Sequence, residues 1–126
     1  MAKALISLGA NTADKNTRVG DCITAIGRIA RITAATPIYE TPAEGSIKTM
    51  PYANALLEID CDATYETLRS TFKQWEVDAG RTPSCKLQGI VPLDIDIIKW
   101  NDTLLKERDM QYEYMQRGLR LLQKKD

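Results

Sequence analysis

A chain of 126 residues with 44% hydrophobic and 27% charged side chains has the length and composition of about one domain with a single core. Its formal charge of +0 supplies no global field for nucleic acid or an anionic membrane, so neither is expected as a partner. The 0 histidines exclude Ser-His-Asp and Cys-His nucleophiles and histidine-ligated zinc.

No apolar run approaches the roughly 20 residues of a bilayer span. The short apolar stretch after Met1 is too brief for a secretory leader, and Lys3 to Leu8 reads as a first strand ending at Gly9. Asn11, Asp14 and Asn16 mark a loop and helix start, after which Val19, Cys22, Ile23, Ile26 and Ile29 recur at helical steps. Ile32 to Tyr39 is β-branched and Thr-rich, a second strand, and Glu40 to Ser46 is a Pro- and Gly-bearing loop. Tyr52 to Ile59 reads as a third strand, with Ala53, Ala55, Leu57 and Ile59 on one face.

Thr64 is a suitable N-cap for a helix whose apolar stripe is Leu68, Phe72, Trp75 and Ala79, and Gly80 is placed to end it. Glu76 is expected on a different side of that helix, in water or near a metal. Residues 81–92 hold two prolines and a glycine and are expected to be a loop. Leu93 to Trp100 is a fourth strand, and the chain from about Met110 is helical. The order predicts an α+β fold: a single ferredoxin-like βαββαβ domain over 1–126, with an antiparallel sheet and a C-terminal helix. Cys22, Cys61 and Cys85 are odd in number, widely spaced and without a CxxC, as expected of reduced thiols in a cytoplasmic protein. A monomer or a weak dimer is compatible with this composition.

Without histidine, catalysis falls to carboxylates, Lys, Arg, backbone donors or a hard cation, which suits phosphoryl-type chemistry. Leu93-Asp94-Ile95-Asp96-Ile97 is the most informative segment, because alternation puts Asp94 and Asp96 on one strand face. Such a pair is compensated either by solvent, as on an edge strand, or by Mg²⁺ ions that also take phosphate oxygens. Arg81 and Lys86, in the preceding loop, and Arg117 on the last helix are candidate phosphate partners or ordinary surface charges. Tyr39-Glu40-Thr41-Pro42 and Tyr52-Ala53-Asn54 combine a stacking ring with an amide able to read a heterocycle edge. They also suit plain sheet filler.

In order along the chain, Ile6-Ser7-Leu8-Gly9-Ala10-Asn11, Tyr39-Glu40-Thr41-Pro42, Pro51-Tyr52-Ala53-Asn54-Ala55, Gly80-Arg81, Leu93-Asp94-Ile95-Asp96-Ile97 and Arg117-Gly118 resemble the hydroxymethyl-dihydropterin pyrophosphokinase family. The resemblance implies a ferredoxin-like core and diphosphate transfer from ATP to the hydroxymethyl group of a reduced pterin, with two Mg²⁺ ions. It implies Asp94 and Asp96 as catalytic metal ligands and Arg81 as a catalytic phosphate contact. Thr41, Pro42, Tyr52 and Asn54 would border the pterin, and Glu76, Lys86, Tyr112 and Arg117 would border the nucleotide.

The chain also departs from the family pattern. Gln88 stands where a stacking Trp is usual, Val91 where an Arg is usual, Gln111 where a His is usual, and Leu119 where an aromatic follows Arg-Gly. The sequence stops soon after Arg117-Gly118, short of the family's usual C-terminal segment. These replacements keep open a second reading, a diverged non-catalytic relative that binds a pterin or a nucleotide.

Overall fold

Strand alternation is plainest in β1 (Ala2–Ala10), where Ala4, Ile6, Leu8 and Ala10 are at most 5% exposed on one face. The computed structural model describes residues 1–42 and 50–123, with the backbone alone for Lys86. The helix α1 (Lys15–Ile29) buries Val19, Cys22 and Ile26, and the strand β4 (Tyr52–Cys61) buries its odd-numbered residues from Ala53 to Cys61. With Leu68 and Phe72 of α2 (Tyr65–Asp78) and Ile95 and Ile97 of β5 (Asp94–Trp100), these side chains form the main core. Each large apolar side chain buried there contributes roughly 1.5–3 kcal/mol.

The strands β2 (Arg31–Ala35), β3 (Tyr39–Thr41) and β6 (Thr103–Leu104) complete an antiparallel sheet in the order β2-β4-β1-β5-β6, with β3 also on β4. The first four strands of that path have the ferredoxin-like order, and α1 and α2 pack on the core face. The other face carries a smaller cluster of Leu56, Ile98 and Met115, the last from α4 (Glu113–Gln123). By alternation that second face also carries Ser7, Asn54, Asp94 and Asp96.

Three details differ from expectation. The second strand is split at Pro37, whose ring leaves no N–H to donate to a neighbouring strand. Thr36 is buried at the break, where its N–H donates to the Leu56 carbonyl at 3.0 Å and its Oγ1 accepts from the Leu56 N–H at 3.0 Å. The stretch 81–92 is not wholly loop: Pro83–Gln88 is a short helix, α3, since proline is tolerated at a first helical position. A hairpin to β6 follows β5, turning at Asn101 with φ 52. Most of the loop expected at 40–46 lies outside the described residues.

Candidate active site

The second face of the sheet is open beside α4, forming a cleft of about 320 Å³. Its floor is the middle of the sheet: Ser7, Leu8 and Gly9 from β1, Asn54 from β4 and Asp94 from β5. Thr41 and Pro42 at the end of β3 and Tyr52 at the start of β4 close one side, and Tyr112 and Tyr114 close another. The cleft therefore unites Thr41, Pro42, Tyr52, Asn54, Asp94 and Tyr112, residues that the sequence spreads over more than half of the chain.

Hydrogen bonding holds the β3–β4 wall rigid. Asn54 is 4% exposed, and its amide nitrogen donates to Thr41 Oγ1 at 2.8 Å and to the Tyr39 carbonyl at 3.2 Å. Burial, with the Asp94 charge adding, raises the Tyr52 phenol above its ordinary range. Tyr39 O–H donates to the Tyr114 carbonyl at 2.7 Å, which ties β3 to α4, and burial pushes its pKa up to about 12. Gly118 makes that seating possible: a Cβ there would collide with the Tyr39 hydroxyl and lie 2.6 Å from Leu56 Cδ1.

The acidic side behaves differently. Burial raises the Asp96 acid to about 7, and the Asp94 charge beside it acts in the same direction. The pair is neither fully solvated nor fully compensated. Arg81 Nη1 donates to Asp94 Oδ1 at 2.7 Å and meets Glu76 Oε2 at 3.2 Å. Two carboxylates on one strand face are a donor set that suits a hard divalent cation. Among the described residues no cluster of three or more His, Cys, Asp or Glu is arranged to hold a metal.

The remaining expected residues lie elsewhere. Glu76 was expected away from the apolar stripe, yet it is 3% exposed and buried with Leu68 and Phe72, because four-residue steps from Phe72 keep one helix face. Arg117 does not line the cleft; its Nη1 donates to the Glu40 carbonyl at 2.9 Å and its guanidinium lies 5.7 Å from the Tyr39 ring centroid. The Lys86 side chain lies outside the described residues.

Ser7, Gly9 and Tyr114 line the cleft without having been singled out as site residues. The signal for Tyr114 is its place two residues after Tyr112, and the two rings lie stacked at 6.0 Å. Burial raises the Tyr114 phenol, with acidic neighbours Asp109, Asp96 and Asp94 adding to it. Asn11 was read as part of a turn, but it clasps the 81–92 segment. Its Nδ2 donates to the Gly89 carbonyl at 2.8 Å, and its Oδ1 accepts from the Val91 N–H at 2.6 Å.

The family model described as 7,8-dihydro-6-hydroxymethylpterin-pyrophosphokinase (HPPK) matches residues 5–123, a span that includes every residue lining this cleft. The chain belongs to the HPPK family.

Proposed function

We propose that this chain transfers diphosphate from ATP to the hydroxymethyl group of 6-hydroxymethyl-7,8-dihydropterin, a step of folate biosynthesis. The observation that carries the reading is a single cleft bordered both by Tyr52 and Asn54 and by Asp94. A planar heterocycle against Tyr52, with its edge at Thr41 and Asn54, brings its hydroxymethyl arm toward the acidic end of the cleft.

Asp94 and Asp96 would hold Mg²⁺, which neutralises phosphate charge and aligns the triphosphate when bound. Arg81, next to Asp94, is suited to follow charge onto the transferred group. Tyr112 on the cleft and Arg117 beyond it are candidates for the nucleotide side. In the reaction the pterin hydroxyl oxygen bonds to the β-phosphorus, the bond from that phosphorus to the α-phosphate bridge breaks, and AMP leaves. Such in-line displacement draws on positioning and charge neutralisation more than on a strong protein base, in keeping with a site that has no histidine.

The test is AMP release from ATP with the hydroxymethyl-dihydropterin and Mg²⁺, run beside Asp96→Ala. Turnover is expected in the parent, with a loss on the order of 10³-fold or more in the variant and on chelation of the metal. Pterin binding by a folded parent that releases no AMP would instead identify a non-catalytic member in which Gln88, Val91, Gln111 and Leu119 have removed the chemistry.

A further inference from the structure

Glu76 is the acidic side chain near the cleft that the reaction above does not use. It is 3% exposed, yet both of its oxygens are engaged. Oε2 accepts the Ile95 N–H at 2.8 Å and meets Arg81 Nη1 at 3.2 Å, while Oε1 accepts from Lys73 Nζ at 3.5 Å. A carboxylate this deeply buried persists only where hydrogen bonds and positive charge compensate it.

The reason for its position lies in the sheet. Along one side β5 pairs with β1 from Asp94 onward, but along the other it meets β6 only at Lys99 and Trp100. The Ile95 N–H points into the gap left on that side, between the two aspartates in sequence. Glu76 fills the gap as a neighbouring strand's carbonyl would. A buried N–H without such a partner is strongly disfavoured.

The same carboxylate is tied to Arg81 by the way α2 ends. Gly80 takes φ 102, its N–H donates to the Val77 carbonyl at 2.9 Å, and the Arg81 N–H donates to the Glu76 carbonyl at 3.1 Å. These paired bonds across a left-handed residue form a Schellman termination, which returns the chain onto the last turn. Arg81 thus meets Glu76 through both backbone and side chain, and its Nη1 is shared between Glu76 and Asp94.

We propose that Glu76 is a positioning residue for the Asp94–Asp96 pair: it anchors Ile95 between them and shares the Arg81 guanidinium with Asp94, rather than contacting the nucleotide. The proposal rests on the reading of that pair as the Mg²⁺ site. Without Glu76, β5 loses its anchor at the aspartates, and the Arg81 charge is left to Asp94 alone, competing with a cation for that carboxylate.

The experiment combines amide hydrogen exchange at Ile95 with binding of Mn²⁺ and a non-hydrolysable ATP analogue, in the parent, Glu76→Gln and Glu76→Ala. In the parent the Ile95 amide is expected to exchange slowly. Glu76→Gln retains an acceptor for it and keeps most of that protection, whereas Glu76→Ala speeds exchange about tenfold or more. Mn²⁺–nucleotide affinity should fall by roughly 10–100-fold in Glu76→Ala, as when groups that orient metal ligands are removed, and by less in Glu76→Gln.

Fast exchange at Ile95 in the parent overturns the proposal, and that measurement requires neither variant to fold. So does a Glu76→Ala protein that weakens nucleotide binding while Ile95 exchange stays at the parent rate. A parent that protects Ile95 but binds no Mn²⁺–nucleotide refutes the Mg²⁺ reading of the pair and leaves the anchoring of Ile95 standing.

Discussion

The two ends of the cleft are built on opposite physical terms. At the Tyr52–Asn54 end Asn54, Thr41 and Tyr39 hold one another through bonds of 2.8 and 3.2 Å. At the acidic end the Arg81 guanidinium is divided between Asp94 and Glu76, and Asp96 carries an acid raised to about 7. The first end is preorganised to receive an uncharged, planar group, since its donors and acceptors are already aligned. The second keeps an acid that burial holds above its ordinary range. A site with one finished end and one charge-deficient end is expected to bind its heterocycle more simply than its phosphates.

The comparison breaks most readily at Gly118. A methyl group there meets the Tyr39 hydroxyl and Leu56, so Gly118→Ala should lift α4 from the sheet. Overpacking of this kind costs on the order of 1–3 kcal/mol, enough to lower the denaturant midpoint clearly and to weaken pterin binding with it. If α4 tolerates the methyl group without either loss, the rigid end is softer than its hydrogen bonds imply. A narrower change at the same end is Asn54→Ala. It leaves Thr41 Oγ1 and the Tyr39 carbonyl without their donor and should weaken pterin binding roughly 10- to 100-fold by calorimetry. ATP-analogue affinity should stay near the parent value. Equal losses for both ligands would mean that the two ends are not separable.

Much of this architecture was legible because periodicity is a long-range average over many residues. Ala4, Ile6 and Leu8 in β1, Val19, Cys22 and Ile26 in α1, and Leu68 and Phe72 in α2 all repeat at the spacing of the element they form. What escaped was local. Pro83 was read as a breaker when it opens α3, and Pro37 divides one expected strand into two. The candidate site residues were named by type and by family resemblance, and their meeting in one cleft by no rule of spacing. Asn54 and Asp94 meet because β1 lies between β4 and β5, a fact of strand order. Glu76 was misread because a charged side chain is ordinarily solvated, and the gap beside Ile95 that makes its burial favourable exists only once the sheet has formed.

The acidic end makes the smallest but most specific prediction, because its charge deficit has a sign. Asp96 titrates near 3.8 in an unfolded chain and at about 7 in the fold, where burial comes first and the Asp94 charge second among the causes. Folding therefore favours the protonated form. The stabilisation from that proton is complete below the unfolded value and is lost as pH rises through about 7. Metal-free protein should lose on the order of 1–2 kcal/mol between about pH 4 and pH 7 from this group, allowing for water's access to the pair. Asp96→Asn keeps the shape without the titration, so subtracting its stability curve from the parent's isolates the effect. Mg²⁺ with an ATP analogue should restore the parent at pH 7 and leave the variant nearly unchanged, since the cation supplies the charge the fold lacks. Parallel curves for parent and variant across that range would mean that Asp96 is compensated already, and the two ends of the cleft would then be alike.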